Sequence, residues 1–264
     1  MTRERRQDDP VPEGRAVTYD LRLGRYQDVL ADVEVDAVIA DPPFGERTHA
    51  AWSEDKVGTT ATRGTMSKTT RTAISYGHWD PADVYAFVNF WATRCRGWFA
   101  VMTSHDLAPA YRDAYERAGL YAFAPVPCIT LGGSVRLNGD GPSSWAVWLM
   151  VARPKTRAMQ KWRALPGAYV FPASIHRNGG GGGRGKPLDL MRAIVNDYSR
   201  PGDLVCDPTA GYGSTLAAAL QKGRRAVGAE VDAEVHAEAL RRLAGVQYVD
   251  LFDPGRASQG GLGL

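Results

Sequence analysis

The chain has 264 residues, 44% of them hydrophobic and 23% charged, with a formal net charge of +3. That length predicts one domain or two small ones, and that composition is ordinary for a globular chain rather than a fibrous or low-complexity one. No run of eighteen apolar residues suggests a membrane span, and the polar start Met1-Thr2-Arg3-Glu4-Arg5-Arg6 lacks the apolar core of a signal peptide. Cys95, Cys128 and Cys206 are widely spaced and sit in or beside apolar stretches. They read as buried free thiols of a reducing, cytoplasmic compartment, and their spacing is not that of a zinc site. The weak basicity permits a nucleic-acid partner without requiring one.

Residues 1–15 read as a disordered polar tail, and 254–264 as a second, weakly structured one. Val17 to Leu23 alternates and predicts a strand, followed by a short helix from Tyr26 to Val33. Val35-Asp36-Ala37-Val38-Ile39-Ala40 is a nearly continuous apolar run, expected to be a buried parallel strand that ends at Asp41 and is stopped by Pro42-Pro43. Residues 45–79 show no period; the Thr-, Ser-, Lys- and Arg-containing stretch from Lys56 to Arg71 reads as a mobile loop, either a plain surface loop or one that orders over a polyanion. Asp80-Pro81 is an N-cap with proline at the first helical position, predicting a helix to Arg94. A strand over Trp98–Thr103, a helix over Leu107–Ala118, a strand over Tyr121–Ile129 made irregular by Pro125 and Pro127, and a strand over Ser144–Val151 follow.

Residues 153–185 form a separate compositional unit. Arg153, Lys155, Arg157, Lys161, Arg163, Arg177 and Arg184 fall in it without one acidic residue, interleaved with Trp162, Tyr169 and Phe171. The unbroken Gly179–Gly183 run reads as a hinge. Beyond it come a helix over Pro187–Asp197, a short strand Leu204–Cys206 into Asp207, a helix Ser214–Gln221, a strand Arg225–Ala229 ending at Glu230, a helix from about Ala233 to Leu243, and a further strand at Val246–Val249. Alternation of strands with helices predicts an α/β sheet covered on both faces, with ligands at the carboxyl ends of the strands. Asp41, Asp207 and Glu230 all stand at such ends.

Two segments carry chemistry. Asp207-Pro208-Thr209-Ala210-Gly211-Tyr212-Gly213 is a tight loop between a strand and a helix. It has neither the three spaced glycines of a dinucleotide site nor the Gly-Lys-Ser/Thr of a phosphate loop. A cofactor with an amino-acid end and an adenosine end fits better, with Asp207 at its ammonium and Glu230 at its ribose hydroxyls. Asp41-Pro42-Pro43-Phe44 suits an exocyclic amine, whose lone pair is delocalised into the base. The Asp41 carboxylate and the Pro42 carbonyl supply two acceptors for the NH₂ group, prolines add no competing donor, and Phe44 supplies a ring to stack on.

These residues resemble the S-adenosylmethionine-dependent amino-methyltransferases of DNA. Asp41-Pro42-Pro43-Phe44 is similar to their catalytic tetrapeptide, and Asp207 through Gly213 to their cofactor loop. The order, catalytic motif before cofactor loop, resembles the permuted beta group. The resemblance implies a Rossmann-like, circularly permuted fold with a mostly parallel seven-stranded sheet. It divides the chain into a catalytic half (16–152), a short basic DNA-recognition segment and hinge (153–185), and a cofactor half (186–253). It implies S-adenosylmethionine bound by Lys186, Pro187, Leu188, Asp207, Thr209, Gly211, Gly213 and Glu230, and DNA contacted by Arg163, Arg177 and Arg184. Where the family has a Gly-Asp pair near the cofactor adenine, this chain has Gly24-Arg25, and Asp28 or Asp250 is the substitute acid. The implied reaction is direct methyl transfer to adenine N6 of a flipped base in double-stranded DNA, within a restriction-modification setting, by a monomer or homodimer, with no catalytic cysteine and no metal. Cytosine N4, an RNA amine, and a non-catalytic nucleic-acid-binding module stay open as alternatives.

Overall fold

A computed structural model describes residues 18–46, 58–62, 65–69, 77–131, 145–156, 162–172 and 185–246. Eleven strands and six helices follow in chain order: β1 (Tyr19–Leu23), α1 (Tyr26–Val29), β2 (Val35–Ala40), β3 (Gly58–Thr62), β4 (Thr65–Thr69), α2 (Pro81–Ala92), β5 (Cys95–Thr103), α3 (Ala108–Arg117), β6 (Tyr121–Ala122), β7 (Val126–Leu131), β8 (Ala146–Arg153), β9 (Tyr169–Pro172), α4 (Leu188–Tyr198), β10 (Leu204–Asp207), α5 (Ser214–Gln221), β11 (Arg225–Glu230) and α6 (Ala233–Ala244). Nine of the strands form one sheet in the order β1-β11-β10-β2-β5-β8-β7-β9, with β6 also paired to β8. β1, β11, β10, β2 and β5 are mutually parallel, and β8 runs against β5, β6 and β7.

The permutation is visible in the pairing. β10 leads through α5 to β11 on one side, while β2 leads through α2 to β5 on the other. The neighbours β10 and β2 are therefore the point where the winding reverses, the place where open α/β sheets bind ligands. β1, first in sequence, closes one end of the sheet by pairing with β11, the last strand in the chain order above.

Period-two alternation assigns β2 to two cores. Ala37 and Ile39 face α4, α5 and α6, packing with Leu190, Met191, Ile194, Leu216 and Leu220. Val38 and Ala40 face α1, α2 and α3, packing with Tyr26, Phe87, Trp91, Tyr111 and Tyr115. Each large apolar side chain so buried contributes roughly 1.5–3 kcal/mol. α2 starts as its sequence predicts: Asp80 accepts from Ala82 N at 2.7 Å and Asp83 N at 3.0 Å, and Asp83 accepts from Asp80 N at 3.0 Å, a reciprocal capping box.

The sheet departs from the expected seven strands in two places. The predicted Tyr121–Ile129 strand is broken into β6 and β7, since Ala124-Pro125 lacks an N–H for the ladder. β9 adds a strand inside the basic segment, parallel to β7 from Cys128↔Tyr169 to Leu131↔Pro172. Pro127 is tolerated because β9 pairing begins only at Cys128. Within 45–79, expected to be irregular, β3 and β4 form an antiparallel ladder from Gly58↔Thr69 to Thr62↔Thr65. Val246 is outside any strand; the rest of the strand expected over Val246–Val249, the two tails, and the Gly179–Gly183 hinge lie outside the described residues. Among the described residues no helix is long and apolar enough to cross a membrane.

Candidate active site

Asp41 is the first residue beyond β2, and Asp207 is the last residue of β10, the strand beside it. The register Val205↔Ala37 and Cys206↔Val38 brings the two carboxylates to one edge of the sheet. The Asp41–Gly45 segment is held by its surroundings: Gly45 N donates to Ser104 Oγ at 3.1 Å, and Trp79 N donates to the Phe44 carbonyl at 3.1 Å. Gly45 is also packed against Asp106; a Cβ there would stand 2.1 Å from Asp106 Oδ2. Pro42 is buried, and Pro43 and Phe44 are half-buried.

The Asp207–Gly213 loop is folded by its own backbone and by Glu230. Ala210 N donates to Ala229 O at 2.9 Å and Gly213 N to Ala210 O at 2.8 Å. Glu230 accepts from Gly211 N at 2.9 Å through one oxygen and from Asp232 N at 2.8 Å through the other. Gly213 caps α5 with φ +73°, left-handed backbone that favours glycine. A Cβ built at Gly211 meets nothing within 4 Å, so the loop leaves room on its outer side. Asp207 is 2% exposed and accepts from Thr209 N at 3.1 Å and Thr209 Oγ1 at 3.3 Å. Burial pushes its carboxyl up to about 7 against the hydrogen bonds from Thr215 and Thr209, and the Asp41 charge adds to the rise.

Pro187 is the buried N-cap residue of α4, and Leu188 packs against the core below the loop. Lys186, expected at the cofactor, reaches Asp41 and Phe44 instead. Its Nζ stands 2.9 Å from Asp41 Oδ1 and 4.6 Å from the centroid of the Phe44 ring. Asp28 is exposed in the first turn of α1, on the chain that leaves β1. Leu23, the last residue of β1, is paired in register with Glu230, and Gly24 N donates to Glu230 O at 2.8 Å. Leu23 and Val231 are 50% and 63% exposed on either side of that acid, an apolar pair suited to a planar ring. Neither stands out in the sequence, where the available signal is an apolar residue, Val231, directly after the strand-ending acid Glu230. The room at Gly211, the strand-end acids Asp207 and Glu230, and this apolar pair fit a cofactor with amino-acid, ribose and adenine parts.

Of the three arginines expected to meet DNA, only Arg163 is among the described residues. Its guanidinium donates to Asp197 Oδ1 at 2.6 Å and to Asn196 O at 2.7 Å. Asp197 also accepts from the Tyr169 hydroxyl at 2.7 Å, and Trp162 Nε1 donates to Asp197 O at 3.0 Å. Arg163 is thus engaged in fastening the 162–172 stretch to α4 rather than held out toward a phosphate. Arg177 and Arg184 lie outside the described residues, as does Asp250. The three cysteines are free and buried; burial pushes Cys95 and Cys128 up to about 12 and Cys206 well above its ordinary value. Among the described residues no group of three or more His, Cys, Asp or Glu is placed to hold a metal ion.

A family model described as DNA methylase matches residues 169–241. YhdJ of Escherichia coli K12, named a DNA adenine methyltransferase, is 43% identical over 58 residues, which is 22% of this chain and 20% of that protein. YubD of the same organism, named as a methylase, is 42% identical over 62 residues, 24% of this chain and 27% of its own length. The chain therefore spans about a quarter or less of the length of the curated relatives it matches. Among solved structures, M1.HpyAVI with SAM aligns over 86% of this chain and 99% of its own, at TM-score 0.62 and 17% identity. The cytosine-N4-specific PvuII DNA methyltransferase aligns over 89% of this chain and 88% of its own, at TM-score 0.58 and 14% identity. The DNA methylase model thus matches the part of the chain that runs from β9 into α6, and the two solved methyltransferases share the fold of the sheet.

Proposed function

We propose that the protein methylates the N6 amine of adenine in duplex DNA, using S-adenosylmethionine. The observation that carries this reading is the adjacency of β2 and β10 at the reversal point of the sheet, which sets Asp41-Pro42-Pro43-Phe44 beside the Asp207–Gly213 loop. The name of YhdJ favours adenine over cytosine, and an aspartate at the first catalytic position agrees with it.

When bound, S-adenosylmethionine supplies a methyl group on a positively charged sulfur. Asp207, Gly211, Gly213 and Glu230 form its cradle: Glu230 retains lone pairs for ribose hydroxyls beyond those used by Gly211 N and Asp232 N, and Asp207 favours a cationic ammonium. The target base, turned out of the helix, stacks on Phe44. The Asp41 carboxylate and Pro42 carbonyl accept from the exocyclic NH₂, orient its lone pair and stabilise positive charge developing on nitrogen. Transfer to the amine is direct, with no covalent protein intermediate and no cysteine involved, and water takes the proton afterwards. Cytosine N4 would use the same acceptors. Arg177 and Arg184 contribute phosphate contacts in this reading.

Asp41→Ala tests it. The variant is expected to bind DNA and S-adenosylhomocysteine as the wild type does and to transfer no methyl group; equal transfer rates in the two proteins would end the proposal.

A further inference from the structure

We propose that Lys186 is a gate on the amine subsite: its ammonium stands in for the amine of the target base, and a base enters only when that ammonium leaves. The inference rests on the function proposed above. It assigns Lys186 to the base side of the site, where the sequence reading had it at the cofactor.

The two groups that Lys186 engages are the two that a flipped base needs. Its Nζ pairs with Asp41 Oδ1 at 2.9 Å and lies over the Phe44 ring at 4.6 Å from the centroid. An ammonium over an aromatic face, ion-paired to a carboxylate, occupies the same acceptor and the same π surface as an aromatic amine, and the pairing leaves Asp41 Oδ1 without a hydrogen bond that the amine can supply. The Asp41 and Lys186 side chains are 27% and 24% exposed, so the pair is sheltered yet open enough to be displaced. A base stacked on Phe44 with its amine on Asp41 Oδ1 competes with the ammonium for that ring face and that oxygen.

The backbone behind Lys186 ties the gate to the cofactor loop. Gly185 has φ +88°, and a Cβ there would stand 2.7 Å from Ser214 Oγ and 3.5 Å from Tyr212 Cβ. Arg242 Nη1 secures the same place, donating to Ser214 Oγ at 3.0 Å and to Tyr212 O at 3.3 Å. Pro187 follows and begins α4. Lys186 is therefore carried on a short bridge from the cofactor loop to the catalytic motif. Its side chain has several rotatable bonds with which to move off Asp41 while the backbone stays seated.

A sheltered ion pair with a cation–π contact competes with a base by about tenfold in affinity. The test uses the full chain with S-adenosylhomocysteine saturating the cofactor pocket and adenine as the probe, titrated by calorimetry. Lys186→Met is expected to bind adenine about tenfold more tightly than wild type, and Lys186→Arg to stay near wild type. In an Asp41→Asn background the Lys186→Met gain is expected to vanish. In DNA methylation, Lys186→Met lowers the KM for DNA and leaves the affinity for S-adenosylhomocysteine within about twofold. Should Lys186→Met fold poorly, as shown by its melting curve, Lys186→Gln carries the same expectation. Unchanged or weaker adenine binding overturns the gate, as does a loss confined to the cofactor. A wild type that neither binds S-adenosylhomocysteine nor methylates DNA sinks the function instead, which separates the two failures.

Discussion

Asp197→Ala should loosen the attachment of the basic segment and destabilise the whole domain. Asp197 is 9% exposed and joins three groups from the 162–172 stretch to the end of α4: Arg163 at 2.6 Å, the Tyr169 hydroxyl at 2.7 Å and, through its carbonyl, Trp162 Nε1 at 3.0 Å. The substitution leaves the carbonyl in place and removes the carboxylate. Tyr169 is 5% exposed, so its hydroxyl loses a partner away from water, at about 1–3 kcal/mol. The nearby Tyr198 hydroxyl takes over part of that role and favours the lower half of the range. The Arg163 side chain is 35% exposed, so solvent screening limits its pair to about 1 kcal/mol or less. Together the loss is roughly 1–3 kcal/mol, or ~3–10 °C in melting temperature for a domain of this size. Tyr169→Phe alone costs about 1 kcal/mol, and the double variant should lose less than the sum, since both changes remove one hydrogen bond. Thermal unfolding of the four proteins measures this. An Asp197→Ala melting point within about 1 °C of wild type, or strict additivity with Tyr169→Phe, would refute the reasoning.

Arg163→Ala should lower the melting temperature modestly and leave the salt dependence of DNA binding unchanged, whereas removing Arg177 or Arg184, proposed above to contact phosphates, should reduce that slope by about one; filter binding across a salt series distinguishes them. Gly213→Ala forces a side chain into left-handed backbone at φ +73° and should cost about 1–2 kcal/mol, with S-adenosylhomocysteine affinity falling as α5 shifts; calorimetry and melting curves check both. Asp207 has a folded carboxyl raised to about 7, well above its unfolded value near 4, so the folded state holds the proton that the unfolded state releases. Its contribution is therefore most favourable at low pH and is lost as pH rises through about 4 to 7. Relative to wild type, Asp207→Asn should gain melting temperature as pH rises over that window; a difference that is flat with pH would contradict the burial of the charge.

The fold was legible where local signals agreed. Asp80-Pro81 announced α2, the β-branched run Val35–Ala40 announced a strand buried on both faces, and the Asp207–Gly213 loop marked the turn from β10 into α5. β9 was hidden, because Tyr169-Val170-Phe171-Pro172 is four residues long and gains its partners only from β7, more than thirty residues earlier. The β3–β4 ladder lacked any apolar alternation to reveal it. The site divides in the same way. Asp41, Asp207 and Glu230 were legible as strand-end acids. The role of Arg163 was not, since composition shows a basic residue and cannot show Asp197 lying against it. Nor could it show Lys186 reaching Asp41 across 145 positions of sequence (186 less 41).

The central claim is methyl transfer at the β2–β10 edge. Incubating the full chain with labelled S-adenosylmethionine and mixed-sequence duplex DNA, then separating the nucleosides by mass spectrometry, tests it most directly. The account predicts labelled N6-methyladenine from the wild type and none from Asp41→Ala. N4-methylcytosine in its place would correct the base while keeping the site; DNA that carries no label, under conditions where S-adenosylhomocysteine binds, would contradict the account.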